Sequence, residues 1–400
     1  MARIGIYGGT FNPPHIGHIQ AAQYACESLA LSELLLIPTC EAPHKQIAED
    51  SPTPAQRLEM LRLATGDKPN VRVSDMELQR GGVSYTYETV ASVRKKYPDD
   101  ELILFMGTDM FLSFHNWKYP EKILENAALG VFYRGNPEEE TTIAEQKKVL
   151  EAMGAKVYLV KNPVTAISST DLRRLLLIGC GDRYLPETVL SYIFQNKLYG
   201  TGVSLKALPV EELKKAVIKL LKPKRVPHVM GCCQTAAELA RHWGADETDA
   251  TRAGLLHDVT KALDGPLQIE ICRHYGVSLD DFSMQNPKTL HALTGSLVAK
   301  YVFGESEAVV DAICNHTTGK ANMNLLEKII YVADYMEPNR DFPGVEKLRS
   351  LAYSNIDGAL ECGLEMTLAM LRQQKREISP QSLEALEYLQ KSRESSSQKG

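Results

Sequence analysis

Across the first 200 residues, short apolar runs alternate with stretches whose apolar positions recur every three or four residues. The runs RIGIYGG (3–9), ELLLIPT (33–39), ELILFMGTD (101–109), AALGVFYRG (127–135) and AKVYLV (155–160) read as buried strands, and VRVSDMEL (71–78) alternates as another. Between them, GHIQAAQYACESL (17–29), TPAQRLEMLRLAT (53–65), SYTYETVASVRKKY (84–97) and TTIAEQKKVLEAM (141–153) carry helical periodicity. Ile19, Ala22 and Cys26 share one face, and Thr53 with Pro54 opens a helix. Such alternation demands parallel pairing through right-handed crossovers, which predicts a doubly wound, Rossmann-like α/β sheet.

Beyond YGTGVSL (199–205) the strand signal stops. VEELKKAVIKLL, QTAAELARHWG, TDATRAGLLHDVTKAL, HALTGSLVAKYVF, LLEKIIYVADYM and IDGALECGLEMTLAMLRQQ are all helical in period. A first domain over 1–200, an all-α domain over 205–392 and a disordered polar tail over 393–400 are therefore expected. A chain of 400 residues, 44% hydrophobic and 24% charged, has material for two cores. Its net charge of -5 removes the electrostatic case for nucleic acid or a membrane surface as partner. Eight cysteines include no Cys-x-x-Cys, and the adjacent Cys232 and Cys233 are poorly placed for a mutual disulfide, so reduced thiols are expected. With no basic-then-apolar start and no apolar run near the ~18 residues of a membrane helix, the expected location is cytoplasmic.

The stretch GGTFNPPHIGH (8–18) falls between the first strand and the first helix. In doubly wound sheets, ligands lie beyond the carboxyl ends of the strands. Gly8 and Gly9 permit close backbone approach, while Pro13 and Pro14 stiffen the turn, so a helix begins near His15 with free N–H groups facing an anion. His15 and His18 share a face there, as two imidazole donors suited to a phosphoryl transition state. In ISSTDLRRLL (167–176), a second helix start brings the hydroxyls of Ser168, Ser169 and Thr170 and, three residues on, Arg173.

These residues carry a resemblance. Gly8-Gly9-Thr10-Phe11 with His-x-Gly-His, together with Ile-Ser-Ser-Thr-x-x-Arg, resemble the nucleotidyltransferase superfamily of α/β adenylyltransferases. The form GGTFNPPHIGH is similar to bacterial nicotinate-nucleotide adenylyltransferases; pantetheine-phosphate and cytidylyltransferase relatives usually have Asp where this chain has Asn12. The likeness extends over about residues 1–200, to the YIFQNKLY ending. It implies ATP binding by Gly8, Gly9, Thr10, Phe11, Ser168, Ser169, Thr170 and Arg173, with His15, His18 and Arg173 catalytic. It places His44, Lys45, Thr86, Tyr87, Asp109 and Trp117 around the mononucleotide, with Trp117 stacked on the pyridine ring. Asp171 stands where relatives often have Glu. The implied reaction is attack of the nicotinate mononucleotide phosphate on the α-phosphate of ATP, with Mg2+ accompanying ATP. The attacking phosphate is already anionic, so positioning and charge stabilisation replace a general base.

In the second half, His228, His257-Asp258, His291, His316 and Asp334 recur on predicted helices, His257 and Asp258 adjacent within one. Asp334 lies in the apolar IIYVADYM, where a carboxylate needs a partner or a metal. Nitrogen and carboxylate donors from separate helices can enclose one or two ions. His242 and His274 read as ordinary polar groups. The ordered set resembles the HD-domain phosphohydrolases over about 205–390, most closely the symmetrical dinucleoside tetraphosphatases, di-iron enzymes that split diadenosine tetraphosphate into two ADP. That resemblance assigns His228, His257, Asp258 and Asp334 to one metal ion and Asp258, His291 and His316 to the other, with Lys261 and Arg340 near phosphate. A nucleotide-binding regulatory module and a nucleoside monophosphate phosphatase are the alternatives for this half.

Overall fold

Among the described residues six strands, all parallel, form one sheet in the order β3 (Val71–Val73), β2 (Glu33–Pro38), β1 (Arg3–Gly9), β4 (Glu101–Gly107), β5 (Ala128–Tyr133) and β6 (Val157–Lys161). In this computed structural model, the described residues are 2–43, 51–66, 68–133, 135, 137–161 and 167–397. His44 and Lys45 lie outside them. In chain order the first unit runs β1 (Arg3–Gly9), α1 (Ile16–Ser28), β2 (Glu33–Pro38), α2 (Pro54–Thr65), β3 (Val71–Val73), α3 (Met76–Arg80), α4 (Thr86–Lys96), β4 (Glu101–Gly107), α5 (Thr108–Leu112), α6 (Pro120–Leu124), β5 (Ala128–Tyr133), α7 (Pro137–Ala152), β6 (Val157–Lys161), α8 (Ser169–Leu177) and α9 (Glu187–Gln195).

The central strands are apolar on both faces because helices cover both sides of a parallel sheet. Ile4, Ile6, Leu35, Ile37, Leu102, Leu104 and Leu129 are buried in one cluster, and Val90, Val93 and Ile143 of the covering helices join it. Pairing of Ile6 with Leu35 on one side and Leu104 on the other fixes the register. The order reverses at β1, so the carboxyl ends of β1 and β4 open the crevice where such sheets bind ligands. The strand expected over 71–78 is only three residues long. It is an edge strand paired with β2 alone, and the chain turns into α3 after Asp75.

The second unit is helical: α10 (Val210–Leu220), α11 (Val226–Trp243), α12 (Glu247–Leu256), α13 (Gly265–His274), α14 (Asp281–Gln285), α15 (Leu290–Val298), α16 (Glu307–Asn315), α17 (Leu325–Met336), α18 (Val345–Ala352), α19 (Ile356–Gln373) and α20 (Pro380–Ser397). The chain divides into compact units at Gly202 and Val203. α20 runs to Ser397, and Leu389, near its middle, is buried. α17 starts with a capping box, Asn324 accepting from the Glu327 N–H at 3.0 Å and Glu327 from the Asn324 N–H at 2.7 Å. Its face then carries Ile329, Ile330, Val332 and Ala333 into the bundle, with Asp334 on the following turn. Gly254 lets α12 approach α11 closely, since a Cβ there would lie 2.8 Å from the Cys233 Cα. All eight cysteines are free thiols. No helix among the described residues is long and apolar enough to cross a membrane.

Candidate functional site

A cavity of about 1270 Å³ opens at the carboxyl ends of β1 and β4. Its walls bring together Gly8, Gly9, Thr10, Phe11, His15 and His18 from the first loop and helix start, Ser168, Ser169, Thr170 and Arg173 from α8, and Thr86, Asp109 and Trp117 from the other side. Two stretches about 150 residues apart in sequence thus meet at one opening. Tyr87 is not on that wall. Its hydroxyl bonds Glu88 at 2.8 Å and its ring packs edge-on against Tyr119, while Tyr85 takes the lining position.

His15 is the N-cap residue of α1, so the helix begins where the two prolines release it. Its backbone N–H donates to His18 Nδ1 at 3.2 Å. Accepting at Nδ1 places the neutral His18 proton on Nε2, which is then a donor. The two rings lie side by side, 3.7 Å between centroids. Burial lowers His15 to about 4; burial, then the neighbouring His15, holds His18 well below the usual imidazole range. The pair therefore faces the cavity as neutral donors.

The hydroxyls at the start of α8 are partly committed. Ser168 caps the helix and donates to Asp171 at 2.7 Å, and Ser169 donates to the Pro13 carbonyl at 3.1 Å. Arg173 donates to the Asn12 carbonyl at 2.6 Å and to Thr170 at 3.1 Å. Tyr199 donates to the Asn12 side chain at 2.7 Å. The departure at Asn12 thus has a structural use: its amide oxygen ties the loop to the end of the unit. Trp117 is half-buried, with one edge against buried Phe114 at 5.3 Å between rings and the rest on the cavity wall.

In the helical unit, His257 and Asp258 are not inside a helix. α12 stops at Leu256, His257 caps it and the chain turns. His257 keeps helical backbone angles at this C-cap, and both side chains are fully buried. Asp258 divides its two oxygens. Oδ2 lies 3.6 Å from His257 Nε2 and 3.8 Å from His228 Nε2, while Oδ1 lies 3.4 Å from His291 Nε2 and 3.8 Å from His316 Nε2. Asp334 Oδ1 is 3.0 Å from His228 Nε2 and 3.9 Å from His257 Nε2. Two ligand clusters emerge, His228–His257–Asp334 and His257–Asp258–His316.

Each ring is aimed by its other nitrogen. The Nδ1 atoms of His257, His291 and His316 lie 2.8, 2.9 and 2.6 Å from the carbonyls of Gly254, Lys288 and Ile313. A proton on Nδ1 leaves each Nε2 lone pair pointing inward, the tautomer that metal ligation requires. Burial lowers His257 to about 4 and holds His291 well down, so both are neutral ligands. Burial alone would raise Asp258, but His257, His316, Lys261 and His291 hold its carboxyl well below the usual range. Asp334 is likewise held down against burial, by His228, His257 and Arg340. Asp258 Oδ1 is buried with no hydrogen-bond partner. An orphaned, ionised oxygen among inward imidazole lone pairs fits a cation and little else.

Five further residues at these sites, Glu337, Gly231, Thr317, Arg225 and Arg57, received no role from the sequence. Glu337 Oε1 takes His228 Nδ1 at 3.1 Å, and Gly231 makes room for it, since a Cβ there would fall 2.3 Å from Glu337 Oε2. Thr317 lies 3.1 and 3.2 Å from the Nε2 atoms of His291 and His316. Arg225 pairs with Asp258. Arg57 underlies the first cavity. Lys261 Nζ is 2.8 Å from His291 Nε2, and Arg340 pairs with Asp334 at 2.7 Å, so both cations of the sequence reading reach the cluster. Glu337→Gln is expected to weaken metal binding by about tenfold to a hundredfold, because the acceptor of His228 Nδ1 loses the negative charge that orients the ring and raises its basicity; metal titration by calorimetry measures this.

Comparison with known proteins agrees with this division. A cytidylyltransferase-like family model matches residues 6–175 and an HD-domain model matches residues 225–339. Relatives named "Probable nicotinate-nucleotide adenylyltransferase" include one from Borrelia garinii, 36% identical over 204 residues, covering 51% of this chain and 98% of the relative. Another, from Symbiobacterium thermophilum, is 36% identical over 210 residues, with 51% and 98% covered. A solved structure described as a "predicted HD superfamily hydrolase involved in NAD metabolism", from Clostridium acetobutylicum, is 39% identical, covering 46% of this chain and 97% of its own, with a TM-score of 0.45. With an HD domain in its second half, the chain belongs through its first to the nicotinate-nucleotide adenylyltransferase family.

Proposed function

We propose that the first unit transfers the adenylyl group of ATP to nicotinate mononucleotide, giving deamido-NAD and pyrophosphate. The observation that carries this is the meeting of the His15–His18 pair and the start of α8 across one cavity, opposite Trp117. The phosphate of the mononucleotide attacks the α-phosphorus as the bond to the β-phosphate oxygen breaks. His18 Nε2–H and the start of α1 stabilise charge growing on the α-phosphate oxygens, and Thr170 and Arg173 receive the departing pyrophosphate. Mg2+ arrives with ATP as part of that substrate. His44 and Lys45 are assigned to the mononucleotide phosphate by family resemblance alone. The test is dinucleotide formation by the purified chain with ATP and either nicotinate or nicotinamide mononucleotide.

Trp117→Ala is expected to raise KM for the mononucleotide about tenfold and to leave KM for ATP within about twofold, because stacking is a contact of the pyridine side. Equal losses for both substrates would make Trp117 a packing residue of Phe114.

For the second unit we propose symmetrical hydrolysis of diadenosine tetraphosphate to two ADP. His228, His257 and Asp334 would hold one ion, His291 and His316 the other, with Asp258 shared between them. Two ions there supply charge neutralisation for the phosphate chain and an activated water. A donor set of four imidazoles and two carboxylates suits iron better than magnesium. Lys261, Arg225 and Arg340 crowd the cluster with positive charge, which favours a polyanionic substrate over a neutral one. Product chromatography separates the readings: ADP alone supports this one, AMP plus ATP contradicts symmetry, and nucleoside from a monophosphate favours a phosphatase.

A further inference from the structure

The loop that forms the first cavity is held from behind by a cation that no carboxylate among the described residues balances. Arg57, on α2, has 0% exposure. Its Nη1 donates to the Thr10 carbonyl at 2.7 Å, and its Nη2 donates to the carbonyls of Thr39 at 2.7 Å and Cys40 at 3.1 Å. Nε is buried and unpartnered, and Arg57 makes no ion pair among the described residues. Thr10 and Thr39 both line the cavity, at the ends of β1 and β2, whereas Arg57 itself does not reach it.

A buried guanidinium without a counter-charge is costly, and three carbonyl dipoles only partly offset that cost. An apolar side chain could fill the same space between α2 and the sheet without it. The charge is explained if its counter-charge arrives with a ligand on the far side of the loop. The hydrogen bonds point the same way. In a trans peptide the C=O and the following N–H are directed oppositely. With the Thr10 carbonyl turned to Arg57, the Phe11 N–H is directed away from it, and Thr10 and Phe11 both line the cavity.

We propose that Arg57 is a positioning residue for the triphosphate of ATP: it fixes the Thr10–Phe11 peptide for anion binding, and the bound polyphosphate is its counter-charge. This rests on reading the cavity as an adenylyl-transfer site. It assigns a role in ATP binding to a residue that touches no substrate atom.

Arg57→Met and Arg57→Lys, in the full-length chain, test it by thermal melting and calorimetry with Mg-ATP and with adenosine. A purely structural brace lowers Tm equally with and without ATP. The proposal requires the ATP-induced rise in Tm to shrink and the Kd for ATP to rise by about tenfold to a hundredfold in Arg57→Met. Adenosine, which lacks the phosphates, should bind each variant within about twofold of the parent. Arg57→Lys keeps the charge and gives up the fork, and its loss of ATP affinity should fall between parent and Met variant. A folded Arg57→Met that binds ATP as the parent does overturns the proposal. Should that variant not fold, Arg57→Lys decides: unchanged ATP affinity, or equal loss for ATP and adenosine, overturns it. A parent chain that binds ATP but makes no dinucleotide from nicotinate mononucleotide defeats the functional reading instead, and the ATP titration still decides the role of Arg57.

Discussion

His18→Ala is expected to lower dinucleotide formation by about a hundredfold or more and to leave tetraphosphate hydrolysis unchanged. The size follows from removing one preorganised donor aimed at developing phosphoryl charge, which in comparable sites costs two to three powers of ten. The loss should appear in kcat, since the bond from Nε2 strengthens as charge moves onto the α-phosphate. The His15 N–H loses its acceptor at Nδ1, but it sits at a helix start where water can replace it, so Tm should fall by only a few degrees. Because burial keeps both rings neutral in the free protein, kcat/KM should not report their protonation between about pH 6 and pH 8. The sign for stability is opposite to that of a salt-bridged histidine. His15 resists protonation in the fold, so its contribution is complete above 6.5 and is lost as pH falls toward about 4. Steady-state kinetics with ATP and nicotinate mononucleotide provide the check, and a variant with parental kcat removes His18 from the chemistry.

The central strands and the first helix start were readable from sequence because each is dictated locally; the second histidine set, drawn from separate helices, entered by its resemblance to HD domains. An apolar run between breakers has few ways to be satisfied except as a buried strand, and Gly-Gly…Pro-Pro-His places its own helix start. What the sequence hid depends on distant partners. VRVSDMEL alternates well enough for a longer strand, yet β3 has a neighbour on one side only and ends where pairing with β2 ends. The TDATRAGLLHDVTKAL period gives no sign that α12 stops at Leu256, because the apolar spacing runs on through His257 and Asp258. Arg57 and Glu337 look like surface charges in sequence: one sits in a helix of mixed polarity, the other at a helix end. Only the fold shows that Arg57 is turned inward onto two strand ends and that Glu337 closes over His228. Tyr85, two residues before Tyr87, lines the cavity, while Tyr87 packs against Tyr119. Neighbours on one backbone point in different directions, and a motif does not say which faces in.

Asp258→Asn is expected to abolish hydrolysis of diadenosine tetraphosphate and to reduce bound metal to one ion per chain or none. The geometry makes this the most demanding position in the second unit. Its two oxygens face different pairs of imidazoles, His228 with His257 and His291 with His316, so one carboxylate serves both halves of the cluster. An amide keeps the shape but removes the negative charge that two cations share, and its NH2 presents hydrogens to one pair of inward lone pairs. Arg225 and Lys261 would lose their shared partner as well, adding uncompensated positive charge where cations must bind. His242→Ala serves as the contrast. His242 is exposed, with Nε2 2.7 Å from the Tyr353 carbonyl and its ring against Trp243 and Tyr353, so that variant should keep its metal and its hydrolysis. Adenylyl transfer should survive both changes, because the first cavity is built wholly from residues before Gly202. Elemental analysis gives the metal count, and the two activity assays run on the same preparations. An Asp258→Asn chain that still binds two ions and still releases ADP would show that the carboxylate is not shared between two sites.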